Sequence, residues 1–231
     1  MKVLNLILKA KGETEPLSFS VNRMVNAGYV GRDRDASRRH IEELKREGVP
    51  VPEEIPALYP VASYLITTGD MLEVVDESTS GEAEFVLLLK EGKIYVGVGS
   101  DHTDRNLEAS SILKAKQICP NVISSVVWPY EEVKEAWDEL VLRSWLEKGG
   151  QRILYQETKL AAIMSAEDVL SFVRSKVADG DLEGTVIYSG TVPALGGEII
   201  YGDSFEVELH NPQLNDSLWC RYKVRLLDYL K

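Results

Sequence analysis

The run Glu84-Phe85-Val86-Leu87-Leu88-Leu89, broken at Glu91-Gly92-Lys93 and resumed as Ile94-Tyr95-Val96-Gly97-Val98, constrains this chain more than any other feature. Two β-type apolar runs separated by a short glycine-containing break specify a hairpin. A hairpin brings the end of its second strand beside the start of its first. Here those points carry Glu82 and Glu84 on one side and Asp101 on the other. Positions i and i+2 of a strand share a face, so the two glutamates point the same way. Like charges held together beside an apolar run repel each other and resist desolvation. A hard divalent cation removes both costs, and Asp101 can reach the same cation. Two other readings stay open at this point. The glutamates could be a solvated pair at a strand end, and Asp101 could be a helix N-cap with Arg105 a plain salt-bridge partner.

The rest of the chain reads mostly as strands. β-type runs cover residues 3–8, 63–67, 71–75, 153–156, 184–188, 204–210 and 218–227. Helices are expected over residues 33–47, over 130–148, and from the capping arrangement of Ser165 and Asp168 to a stop before Gly180. The second of these would bury Val133, Trp137, Leu140, Val141 and Trp145 and end at Gly149-Gly150. Residues 49–60 hold four prolines and form an extended connection. Strands dominate and the helices do not alternate with them, which gives an α+β architecture rather than a doubly wound sheet. One compact domain is expected overall, with residues 1–60 packed as a strand, helix and extended connection on a core unit of residues 61–231.

A formal net charge of −11, from 37 acidic and 26 basic residues, argues against a nucleic-acid surface. The basic stretch at residues 32–39 is interleaved by Asp33 and Asp35 and reads as a solvated helix face. Two cysteines, Cys119 and Cys220, are too few for a disulfide framework and fit the reducing cytoplasm. No apolar run approaches membrane-spanning length, and the opening residues read as a strand rather than a signal peptide.

Two further segments carry polar chemistry. Lys116, in Lys114-Ala115-Lys116-Gln117, could stabilise developing negative charge or pair with a substrate carboxylate, or be a surface charge. The loop Ser189-Gly190-Thr191-Val192-Pro193-Ala194-Leu195-Gly196-Gly197 exposes backbone N–H groups and the Thr191 hydroxyl, which suits a carboxylate and equally suits a long turn.

In order, Glu82-x-Glu84, Gly97-x-Gly99-x-Asp101-x-Thr103-x-Arg105, Ala115-Lys116, Gly190-Thr191-x-x-x-x-Gly196 and Gly202-Asp203-x-x-x-Val207-Glu208 resemble the fumarylacetoacetate hydrolase superfamily. Within it the chain looks closest to the DUF2848 branch, through residues 97–105 and the segment Ile41-Glu42-Glu43-Leu44. The resemblance implies a mixed β-roll with a few peripheral helices, a homodimer, and Mg²⁺ or Mn²⁺ on Glu82, Glu84 and Asp101. It makes Lys116 the cationic active-site residue and Thr191, with Gly190, the contact for a substrate carboxylate. Arg105 falls on the family's arginine and braces the turn. The implied reaction is C–C hydrolysis or decarboxylation of a small 2-oxo acid through a metal-stabilised enolate. The alternatives are hydration or isomerisation of an unsaturated 2-oxo acid, or metal and metabolite binding without catalysis.

The chain departs from the family in one respect. Hydrolytic members carry a His–Glu pair upstream of the glutamates, and residues 59–80 contain no histidine. Of His40, His102 and His210, only His102 adjoins Asp101; it is a candidate base, beside Glu73, Asp76 and Glu77, or an orienting residue.

Overall fold

Every residue from Phe85 to Leu89 is buried, because their strand lies between two cores. Val86 and Leu88 face one core, with Leu4, Phe19, Val127 and Tyr188, while Phe85, Leu87 and Leu89 face the other, with Trp137, Leu142, Phe205 and Val207. Burial on both faces is why this strand has a continuous apolar sequence instead of an alternating one. The computed structural model describes residues 1–35, 42, 51–52 and 54–230.

The strands before the central hairpin are β1 (Lys2–Ala10), β2 (Glu13–Val21), β3 (Arg23–Gly28), β4 (Ala57–Val61), β5 (Ile66–Thr67), β6 (Met71–Val74) and β7 (Thr79–Ser80). The hairpin is β8 (Ala83–Lys90) and β9 (Lys93–Asp101), followed by β10 (Thr103–Asp104), β11 (Asn121–Ile123) and β12 (Val126–Pro129). The remaining strands are β13 (Val141–Lys148), β14 (Gln151–Lys159), β15 (Thr185–Tyr188), β16 (Ser204–Asn211) and β17 (Asp216–Leu226). Helices among the described residues include α1 (Arg105–Glu108), α2 (Ile112–Ile118), α3 (Tyr130–Val133) and α4 (Ala166–Lys176).

The larger sheet runs β2-β1-β12-β9-β8-β15-β3-β4, with β11 and β5 attached beside β9. It is mixed: β1–β12, β15–β3 and β11–β5 are parallel and the other pairs antiparallel. The second sheet runs β14-β13-β16-β17-β6 and lies over the odd-numbered face of β8. A small ladder pairs β7 with β10. The fold is thus mostly β, a curled mixed sheet backed by a second sheet with helices at the edges, as the family resemblance implies.

The central hairpin closes as its sequence requires. Lys90 pairs with Lys93, and the two turn residues, Glu91 (φ 53) and Gly92 (φ 71), are both left-handed, the geometry of the tight turn that matches strand twist. The capping arrangement is also in place, with Ser165 accepting from the Asp168 N–H at the start of α4.

The expected helix over residues 130–148 is corrected. Only Tyr130–Val133 is α-helical, a 3-10 segment Lys134–Glu139 follows, and residues 141–148 are the strand β13. Alternation decides this: Leu142, Ser144 and Leu146 are buried while Val141, Arg143 and Trp145 are half-buried between them, a period of two. The last part of the proline-rich connection pairs with β3 as β4. The helix expected over residues 33–47, with His40 on it and the Ile41-Glu42-Glu43-Leu44 match within it, falls largely outside the described residues.

Candidate metal centre

The chain enters β8 through Gly81, where an added Cβ would lie 2.5 Å from the Phe205 ring, so only glycine passes over that side chain. The register then does what the hairpin reading requires. Ala83 pairs with Ser100 and Glu84 with Gly99, and the Asp101 N–H donates to the Glu82 carbonyl over 3.2 Å. Glu82 and Asp101 therefore stand opposite each other, with Glu84 one pleat further in on the same face. The three carboxylates each offer an oxygen, and these oxygens lie within 4.8 Å of one another. Glu84 and Asp101 are buried at 1% and 0% exposure, and Glu82 stands at the opening. Asp101 ends a strand and caps no helix; the N-cap of α1 is Asp104, which accepts from the Leu107 N–H at 2.9 Å.

Opposite charge comes from two short helices. Ser111 caps α2, whose single buried face carries Ala115 and Lys116. The Lys116 ammonium donates to Asp101 Oδ2 and lies 3.3 Å from Glu82 Oε2. From α1, Arg105 donates to Ser80 Oγ (2.7 Å), Glu108 Oε2 (2.7 Å) and Glu82 Oε1 (3.0 Å). It thus ties Glu82 to the β7 end. These pairings set the protonation states. Burial pushes the Glu82 carboxyl up, but Lys116 and Arg105 outweigh it and hold the pKa at about 2. At Glu84, burial, then the charges of Asp101 and Glu82, outweigh the pull of Lys116 and push the carboxyl well above the usual carboxylate range. Asp101 is raised by burial against the pull of Lys116. Burial lowers the Lys116 ammonium, but Asp101 and Glu82 more than reverse this, so it keeps its proton.

Gly190 and Thr191 join the same edge of the sheet. The Gly190 N–H donates to Glu84 Oε2 at 2.8 Å, and a Cβ there would sit 2.7 Å from Val30 in a backbone at φ 86, so glycine is obligatory. The Thr191 hydroxyl donates to the Ala83 carbonyl (2.9 Å) and accepts from Gln156 Nε2 (2.9 Å). Gln156 was not singled out in the sequence, yet its Oε1 also accepts from the Ala83 N–H and the Ser144 hydroxyl, joining the second sheet to the strand of the glutamates. No spacing marks such a residue.

His102 is buried and turns to the second sheet. Its Nδ1 lies 2.9 Å from the Tyr222 hydroxyl, which lies 2.8 Å from Ser100 Oγ, and that oxygen accepts from the Glu82 N–H at 3.1 Å. Burial, helped by Arg105, lowers its pKa to about 3, so the ring is neutral. The other candidate bases stand apart from the carboxylates: Glu73 pairs with Arg225, Asp76 accepts from the Ser78 N–H and from Asn106, and Glu77 is exposed. His210 bonds Ser217 (3.0 Å) at the end of the second sheet. Cys119 and Cys220 are both buried free thiols. Among the described residues no helix is long and apolar enough to cross a membrane.

The residues present fit a hard divalent cation. The donor set is all carboxylate oxygen, and Asp101 Oδ1 is buried without a hydrogen-bond partner, an arrangement that a positive ligand would relieve.

The family described as "Protein of unknown function (DUF2848)" matches residues 27–222. Among proteins of curated function none matches the chain by sequence. Among solved structures, 2-keto-3-deoxyarabinonate dehydratase superposes with a TM-score of 0.67 at 18% identity, over 90% of this chain and 75% of that one. 2-Keto-3-deoxy-D-arabinonate dehydratase complexed with magnesium and 2,5-dioxopentanoate gives 0.63 at 16%, over 94% and 86%. 4-Oxalocrotonate decarboxylase from Pseudomonas putida G7, complexed with calcium and acetate, gives 0.54 at 16%, over 89% and 79%. At such identities the likeness is one of fold.

Proposed function

The chain belongs to the DUF2848 family, and from that starting point we propose that it is a divalent-metal-dependent enzyme acting on a small 2-oxo acid. The observation that carries this reading is the buried triad, three carboxylate oxygens within 4.8 Å of one another on two paired strands. Glu82, Glu84 and Asp101 would hold Mg²⁺ or Mn²⁺, which when bound supplies Lewis-acid polarisation of a carbonyl. Support comes from the fold, shared with a dehydratase and a decarboxylase whose structures hold magnesium and calcium.

This chain's own residues then have separate tasks. Lys116, paired with Asp101 and Glu82, would serve as a fixed cation for a carboxylate or a developing negative charge. Arg105 restrains Glu82, and the Gly190 N–H restrains Glu84. Thr191, locked by Gln156, closes the same edge for the substrate carboxylate. His102 acts as a positioning residue through Tyr222 and Ser100 on the Glu82 backbone, rather than as a base. Among the described residues no histidine but His102, which turns to the second sheet, adjoins the triad, and this favours decarboxylation, or elimination or addition of water along the chain of a 2-oxo acid, over hydrolysis of a C–C bond.

Isothermal titration of metal-stripped protein with Mn²⁺, with and without oxalate, tests the reading, since oxalate mimics an enolised 2-oxo acid. Mn²⁺ should bind, oxalate should tighten it, and Glu82→Ala should lose both. A wild-type protein that binds neither would leave only shared fold. A screen of 2-oxo acids for Mg²⁺-dependent turnover then separates catalysis from binding.

A further inference from the structure

Nine buried side-chain polar atoms among the described residues have no hydrogen-bond partner, and six of them belong to Asn26, Tyr59, Asp101 and Asn121. Folded chains leave few such atoms, so their concentration needs a cause. These residues share a location. Asn121 on β11 stands directly opposite Asp101 on β9, and opposed residues of an antiparallel pair share a face with Cβ atoms about 5 Å apart. Asn26 on β3 comes from the other side, where the curl of the sheet turns its amide toward the same carboxylate. There the Asn26 amide faces the Asp101 carboxylate without closing a full hydrogen bond. Tyr59 on β4 stands opposite Asn26, and the Lys116 ammonium lies 5.9 Å from its ring centroid.

Both asparagines are at 0% exposure. A buried amide without partners costs about 1–3 kcal/mol, which an apolar side chain of similar size would avoid. Strand pairing uses only the backbones of these two residues. We propose that Asn26 and Asn121 are positioning residues of the triad, bracketing Asp101 and hydrogen-bonding water bound to the cation. An amide has a donor for the carboxylate and an acceptor for a coordinated water, so each can serve both at once. The inference rests on the metal reading above and adds residues that no motif marks.

The test uses metal-stripped full-length protein, Mn²⁺ as the probe, and two readouts: Mn²⁺ affinity by titration and melting temperature without metal. Asn26→Leu and Asn121→Leu are each expected to weaken Mn²⁺ ten- to hundredfold while the metal-free protein melts at or above the wild-type temperature. Loss of a structural amide would instead lower the melting temperature and leave affinity alone, and that result overturns the inference. Because leucine is the bulkier side chain, Asn26→Ser and Asn121→Ser form a second pair that keeps a donor and acceptor in less volume. They should bind Mn²⁺ between wild type and the leucine variants. Serine variants equal to wild type, beside leucine variants that melt lower, would assign the loss to packing and also overturn it. A wild type that fails to bind Mn²⁺ removes the metal reading and this inference together, whereas leucine variants that bind normally remove this inference alone.

Discussion

His102 sits one residue beyond Asp101, and its contacts give it a stability signature. The buried ring is neutral with a pKa of about 3, against 6.5 for an ordinary histidine. As pH falls below 6.5 the unfolded chain takes up a proton that the folded chain refuses until about pH 3, so stability is lost across that window. Between pH 7 and pH 5 the linkage amounts to about 2 kcal/mol. Urea unfolding at the two pH values should show wild type losing more stability on acidification than His102→Asn, by about that amount. Equal losses would mean the ring titrates normally in the fold. At this scale the sequence was informative where chemistry was local. Glu82, Glu84 and Asp101 come together because a tight hairpin superposes positions that spacing alone predicts. Asn26, Asn121 and Gln156 were not legible, because they reach the site from β3, β11 and β14 through sheet curl and layer packing. Asparagine and glutamine also carry no spacing signature of their own.

Glycine decides how the elements approach the triad. Gly99 lies opposite Glu84, and a Cβ there would stand 2.4 Å from the Val122 carbonyl and 3.0 Å from the Tyr188 ring. The nearer obstacle is backbone of β11, which cannot swing aside as a side chain can. Gly99→Ala should therefore destabilise the chain by about 1–3 kcal/mol and, by displacing β11 from β9, weaken Mn²⁺ as well. Denaturant unfolding and titration of the same preparation would check both, and a variant of wild-type stability would refute the close approach. Elements themselves were legible where one periodicity ruled. The hairpin, β1 and α4 meet their expectations, whereas 141–148 misled because Trp145 lies half-buried on the outer face of the second sheet and Ser144 is buried inside it. β2 is not legible in the sequence, because its first half, Glu13-Thr14-Glu15-Pro16, is exposed and alternation begins only at Leu17.

Over the whole molecule, the centre draws on residues as far apart as Asn26 on β3 and Tyr222 on β17. A ligand that binds only this assembled state stabilises all of it. At a hundredfold excess over its dissociation constant, Mn²⁺ should add about 2.7 kcal/mol, or roughly 5 to 10 °C in melting temperature for a chain of this length. A Glu82→Ala protein should show no shift, and an equal shift in both would place the ion elsewhere. The composition and charge argue against a nucleic-acid surface, but neither says how the two cores share a strand. That sharing has a consequence for timescales. Because β8 is covered on both faces, parting it from β9 exposes both cores at once, so the backbone amides of the opposed residues Val86 and Gly97 should exchange with solvent hydrogen only through global unfolding. Glu84, inside β8, is thereby held in place between unfolding events, and the residence time of a bound ion would be governed by Glu82 at the opening and by exchange at the ion's own coordination sphere.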